Sequence, residues 1–191
     1  MTTLQYDAYT VAERLANALD AGGIPYAVGG AIAFGVWADP RGTYDVDINL
    51  FIDHPALDAA LDVLTTAGVE FDRVAARQAD ADGDVIVGRF GGMRIDLFTP
   101  SIPFAWEAAR TVRRVTGPNT SVNYLAPEAM AVFKLLFVRP KDLVDLEKLV
   151  VVPGRDLDTA YVRKWLVEMM GEDDERVVAW DALLQRHAAP G

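Results

Sequence analysis

The stretch YDVDINLFI, from Tyr44 to Ile52, constrains this chain more than any other. It is rich in β-branched and aromatic residues and reads as a strand. Side chains in a strand alternate between two faces. Val46, Ile48, Leu50 and Ile52 then form an apolar side that must pack inward under helices, while Asp45, Asp47, Asn49 and Phe51 share the other. Two neighbouring carboxylates repel, and burying them without a partner is costly. Something cationic belongs between them. With two His and no Cys in the chain, the donors on offer are oxygens, and the cation they suit is a hard divalent ion such as Mg²⁺.

A third carboxylate stands in a similar setting. In MRIDLF, Asp96 shares a face with Arg94 and Phe98, and Ile95 and Leu97 take the other. If this strand pairs beside YDVDINLFI, three aspartates converge. Such a triad can hold two metal ions roughly 3.5–4 Å apart, an arrangement suited to in-line displacement at phosphorus. One ion would lower the pKa of an attacking hydroxyl, with Asp96 as the base. An isolated Asp-x-Asp is usually a solvated strand end, but the apolar neighbours and the matching third site weigh against that here. Upstream, Gly29-Gly30 follows a short strand and opens a helix. Such a turn exposes backbone N–H groups where the helix dipole favours an anion, although an ordinary tight turn looks the same.

Composition bounds the rest. The chain has 191 residues, 51% of them hydrophobic, enough for one domain or one domain with a helical extension. Without cysteine there are no disulfides, thiolate nucleophiles or Cys-based zinc sites. No apolar run reaches the roughly 18 residues of a membrane span. MTTLQYDAYTVAERL lacks a basic segment followed by an apolar one, so a cytoplasmic location is expected and no membrane partner. The net charge of −10 argues against broad nucleic-acid binding and favours a cationic substrate or a basic partner. Arg110, Arg113 and Arg114 are a possible local basic patch.

Along the chain, residues 7–21 have helical spacing and stop at Gly22-Gly23. IPYAV is a strand, AIAFGVWA a short helix, and a further helix runs from Asp53 and Pro55 to Ala67. EFDRVAA reads as a strand and RQADADGD as an acidic loop. VIVGRF and MRIDLFT flank Gly91-Gly92 as a hairpin. PFAWEAAR is helical, and residues 111–125 hold one or two strands. From Pro127 four helical segments follow, separated by Pro140, Pro153 and Gly171. The expected fold is therefore α/β (α+β): a small mixed sheet with flanking helices over 1–125, then a helical part over 126–191. The tryptophans at 37, 106, 165 and 180 read as core, and His54 and His187 as isolated.

Taken together, GG, RGTYDVDINLF and RIDLF resemble the signature of the polymerase β-like nucleotidyltransferases, with Arg41, Thr43, Asp45 and Asp47 matching an Arg-x-Thr-x-Asp-x-Asp form. APEAMAVFKLLFVRPKDLVDL is similar to the third motif of the AbiEii and MenT type of toxin nucleotidyltransferases, at Glu128, Lys134, Lys141, Asp142 and Asp145. The resemblance covers residues 25 to about 149. It implies that Gly29 and Gly30 touch a triphosphate, with Arg41 and Thr43 also on the nucleotide side. It implies that Asp45, Asp47 and Asp96 hold Mg²⁺ or Mn²⁺, that Lys134 contacts nucleotide phosphate, and that Asp145 is a further essential acid. The implied activity moves a nucleoside monophosphate from an NTP to a hydroxyl acceptor. By resemblance that acceptor is RNA, a tRNA 3′ end, and the chain is the toxin of a pair with a cognate antitoxin. A cationic small molecule such as an aminoglycoside is the alternative acceptor, and a non-catalytic nucleotide-binding module a further one. The residues alone leave Lys134 a structural option, paired with Glu128 or Asp142. One departure is the Gly-Gly turn, where such toxins commonly have Gly-Ser and so a hydroxyl.

Overall fold

A computed structural model of the chain describes residues 6–117, 120–137, 140–152 and 157–187. Their contacts divide the chain into two compact units, Met1–Gly35 with Pro40–Leu125, and Val36–Asp39 with Ala126–Gly191.

The first unit is built on a mixed sheet. Its strands are β1 (Tyr26–Val28), β2 (Asp45–Leu50), β3 (Glu70–Phe71), β4 (Ile86–Phe90), β5 (Met93–Phe98), β6 (Arg113–Thr116) and β7 (Ser121–Tyr124). Their order is β3-β4-β5-β2-β1-β7-β6. β2 lies parallel to β5 and antiparallel to β1, so it is central and paired on both sides. That position suits its sequence, because Val46, Ile48 and Leu50 are fully buried.

Two helices cover the apolar face. α1 (Ala8–Ala21) starts where the Asp7 carboxylate accepts the Thr10 N–H at 2.9 Å, which satisfies one of the free donors of a helix start. It buries Val11, Leu15 and Leu19. A 3₁₀ turn, His54–Ala56, leads into α3 (Leu57–Thr66), which buries Leu57, Leu61 and Leu64. These side chains, with Ile86, Ile95 and Leu97, form one core. Between β1 and β2 runs α2 (Gly30–Trp37), and α5 (Pro103–Arg110) follows β5.

One sequence expectation fails here. After β3 the chain forms α4 (Arg73–Asp82) where EFDRVAA suggests a longer strand and RQADADGD a loop. The Asp72 carboxylate caps the helix, accepting from the N–H groups of Val74 and Ala75 at 3.0 Å each. Gly83, at φ +71°, closes its other end in the left-handed conformation that glycine adopts without strain. The hairpin reading of Gly91-Gly92 holds, with φ of +53° and +87° and β4 paired to β5 on either side. Trp106 departs from the core expectation: it is exposed on α5.

The second unit is helical: α6 (Pro127–Phe137), α7 (Pro140–Val151), α8 (Thr159–Met170) and α9 (Glu175–His187). Its interior holds Met130, Val132 and Leu135 of α6, Leu146 and Leu149 of α7, Val162 and Leu166 of α8, and Trp180 and Leu183 of α9. The Trp180 indole N–H donates to the Thr159 carbonyl at 3.3 Å. Pro153 lies outside the described residues.

Candidate functional site

Strand pairing brings two of the three aspartates level. Asp47 on β2 is the register partner of Asp96 on β5, and Asp45 is the partner of Arg94. Paired residues project to the same side of a sheet, so Asp45, Asp47, Arg94 and Asp96 share the face opposite the apolar core. All three aspartates are partly buried.

Each carboxylate has a distinct neighbour. The Arg94 guanidinium donates from Nε to Asp96 Oδ1 at 2.7 Å. The Thr43 hydroxyl donates a short hydrogen bond to Asp45 Oδ1. Asp47 is pressed against the glycine turn. The Gly29 N–H donates to the Asp47 carbonyl at 2.9 Å, and the Gly29 carbonyl accepts the Ala33 N–H in the first turn of α2. Gly30 has φ +54°, and a Cβ built on it would lie 1.7 Å from Asp47 Oδ2. Only glycine fits there, for conformation and for space. At Gly29 a Cβ would meet the Asn49 side-chain nitrogen at 2.8 Å. The turn and the carboxylate are thus one packed unit, at the start of a helix whose first N–H groups lack intrahelical partners. Arg41 is exposed, on the segment that leads into β2.

Among the described residues no three Asp, Glu, His or Cys side chains lie together as a metal-holding group. The convergence the structure shows is one of strand positions on a single face. Arg94 draws off Asp96, and Thr43 draws off Asp45. The donor set itself is all oxygen, on adjacent strands and one face, and fits a hard divalent ion. Arg94 places a positive charge against Asp96.

In the helical unit, Lys134 on α6 and two acids on α7 form a buried ion cluster. Lys134 Nζ lies 2.7 Å from Asp145 Oδ2 and 3.4 Å from Asp142 Oδ1. Asp142 is 1% exposed and Asp145 5%. Glu128, also buried, accepts the Asp158 N–H at 3.3 Å. The Lys141 side chain lies outside the described residues.

Sequence reasoning missed several pairings, most of which depend on distant elements. His54 is not isolated: its Nδ1 lies 2.6 Å from Oδ2 of Asp80 on α4. His187 Nε2 lies 2.9 Å from Glu147. The suspected basic patch is largely neutralised, Arg110 by Glu107 and Arg114 by Asp20. The one available signal was the Arg-x-Asp spacing of Arg94 and Asp96, which places both on one strand face.

No protein-family model matches the chain, and no curated protein matches it by sequence. Solved structures do. An antigenic nucleotidyltransferase-like protein from Paracoccidioides brasiliensis is 20% identical, with a TM-score of 0.54 over 92% of this chain and 93% of its own. JHP933 from Helicobacter pylori is 13% identical, with a TM-score of 0.52 over 94% of this chain and 89% of its own. At such identities the likeness is one of architecture, and its conclusion is that this chain has the nucleotidyltransferase fold.

Proposed function

We propose that this chain transfers a nucleoside monophosphate from a nucleoside triphosphate to an acceptor hydroxyl, releasing pyrophosphate. The observation that carries the reading is the register pair Asp47–Asp96 with Gly30 packed against Asp47, on one face of a nucleotidyltransferase-fold sheet. Asp45, Asp47 and Asp96 would hold Mg²⁺ or Mn²⁺, which when bound supplies charge neutralisation at the triphosphate. The Gly29-Gly30 turn would receive the phosphates through backbone N–H groups, with Arg41 and Thr43 beside it. The acceptor oxygen forms its bond to the α-phosphorus as the bond to pyrophosphate breaks, and the hydroxyl proton passes to the Asp96 carboxylate. Arg94 must then release or share Asp96.

For the acceptor, the reading remains an RNA 3′ end, that of a tRNA, with the chain as the toxin of a toxin–antitoxin pair of the AbiEii and MenT type. It rests on the likeness of Glu128, Lys134, Lys141, Asp142 and Asp145 to that group's third motif. The joining of Lys134, Asp142 and Asp145 in one buried cluster supports their working together. By that likeness Lys134 would contact nucleotide phosphate, and Asp145 would be a further essential acid. A cationic small-molecule acceptor is the second reading, favoured by the net charge of −10.

Calorimetry with Mg²⁺ and each NTP tests the class of activity. Binding by the wild type and its loss in Asp45→Asn and Asp47→Asn is expected. Equal binding by all three proteins would leave a nucleotide-binding module without this metal site. Radiolabelled NTP offered with tRNA tests the acceptor. Label in tRNA, and growth arrest that Asp45→Ala relieves, support the toxin reading, and the absence of both sinks it.

A further inference from the structure

The carboxylate face of the sheet continues beyond Asp96, and there it carries cations. Register sets one row across four strands: Glu70 opposite Arg89, Arg89 opposite Arg94, Arg94 opposite Asp45. The next row is Val87, Asp96 and Asp47. Arg89 and Arg94 therefore stand side by side, one row from Asp96. Like charges directly opposite destabilise a sheet; Asp96 holds Arg94 at 2.7 Å, which leaves Arg89 as the member of the pair without a carboxylate among the described residues.

Among the described residues no carboxylate neutralises Arg89. Its hydrogen bond is to the Gly92 carbonyl, at 3.4 Å, and among the described residues it forms no ion pair, although Glu70 lies directly across. Elsewhere acids are used freely: Arg73, Arg77, Arg110, Arg114, Arg163 and Arg176 each hold a carboxylate. Around Arg89 the surface is open. Val87, on the same strand face, is 42% exposed.

Asp47 has the glycine turn on the β1 side of β2 and Asp96, Arg94 and Arg89 on the β5–β4 side. In-line displacement puts the attacking and leaving oxygens on opposite sides of phosphorus. With the triphosphate at the turn, the attacking hydroxyl arrives over β5 and β4.

We propose that Arg89, joined by Arg94 as it releases Asp96, forms an anion clamp for the acceptor, gripping a phosphate group that adjoins its reactive hydroxyl. This rests on the nucleotidyl-transfer reading above and names the acceptor's chemical class. Guanidinium forks suit phosphate oxygens. The phosphate would be the last phosphodiester of a polynucleotide or the phosphate of a small sugar phosphate.

The test measures binding of the full chain to three probes: a single-stranded RNA dodecamer with a free 3′ hydroxyl, ribose 5-phosphate and kanamycin. We expect a phosphate-bearing probe to bind, and Arg89→Gln to weaken it about tenfold. If the RNA is the one bound, the slope of log K against log salt should also fall by about 0.7. RNA bound and ribose 5-phosphate not bound identifies the polynucleotide, and the reverse identifies the small molecule. Arg89→Glu should weaken either further, with Mg²⁺–NTP affinity kept in both variants. Failure of both phosphate probes to bind the wild type, or unchanged affinity in both Arg89 variants, overturns the clamp. Kanamycin bound in their place does so too. The parent reading fails separately, through the effect of Asp45→Asn and Asp47→Asn on NTP binding alone.

Discussion

At Gly30 a backbone angle and a functional group compete for the same few cubic ångströms. A side chain there would need φ +54° and would collide with the Asp47 carboxylate. Left-handed backbone in a non-glycine residue costs about 1–3 kcal/mol, and each kcal/mol lowers the melting temperature of a chain this size by about 2–4 °C. Gly30→Ala should therefore melt several degrees lower than wild type. Adding Asp47→Ala should return part of the loss, because the collision disappears and the backbone strain stays. A double variant no more stable than Gly30→Ala alone would mean that the contact is not where the strain lies. The glycine pair was visible in the sequence, but its partner was not. Nothing in the spacing of Gly30 and Asp47 shows that the turn is hydrogen-bonded to the strand it faces. The carboxylates themselves were legible because alternation is a local property: polar residues at every second position of an apolar run can point only one way.

At the scale of elements, two ion pairs between helices carry opposite lessons. Lys134 links α6 to α7 through Asp142 and Asp145, nearly out of water. Removing one partner from a buried cluster typically costs about 3–5 kcal/mol, since the opposite charges remain buried. Lys134→Met should lose about that much in denaturant unfolding, and Asp142→Asn with Asp145→Asn added should restore much of it. A loss no larger than that of an exposed lysine would show that the cluster is not buried in solution. Sequence reasoning had Lys134 on an apolar face in need of an anion and offered Glu128 or Asp142; Asp142 answers at 3.4 Å, and Asp145 lies nearer, at 2.7 Å, because of how α7 folds back. His54 pairs with Asp80 of α4, whose other oxygen is buried without a hydrogen bond. The hydrogen bond to Asp80, then the charges of Asp80 and Asp53, raise the His54 pKa above 6.5. A raised pKa means that the pairing stabilises the fold fully below about 6.5 and stops doing so as pH rises through the folded value. The melting-temperature gap between wild type and His54→Gln should accordingly be widest in acid and close on the alkaline side. A gap that grows with pH would contradict the pairing. α4 itself escaped the sequence reading because Ala, Arg and Asp have no apolar stripe to set a period. Its Asp72 cap was the one usable clue.

The whole chain divides by contacts in a way that does not follow its order, since Val36–Asp39 groups with the residues after 125. A fragment of residues 1–125 would carry Trp37, which is 9% exposed in the full chain, without the unit to which it belongs. Such a fragment should melt less cooperatively than the full chain, with its Trp37 fluorescence shifted to the red. Cooperative melting with unshifted emission would instead support independent folding up to residue 125. The row Glu70–Arg89–Arg94–Asp45 also belongs to this scale: it exists only once four strands are in register, and no reading of one segment could assemble it. Strand order has a last consequence. Among the described residues the sheet ends at β3, two residues long, and at β6, four residues that include Arg113 and Arg114. An unpaired edge is a template for another chain's strand, and short, charged edges are poor templates. The long, apolar strands that would seed fibres, β2 and β5, are enclosed on both sides. A chain that is half hydrophobic thus gives strand-to-strand aggregation little to build on while it stays folded.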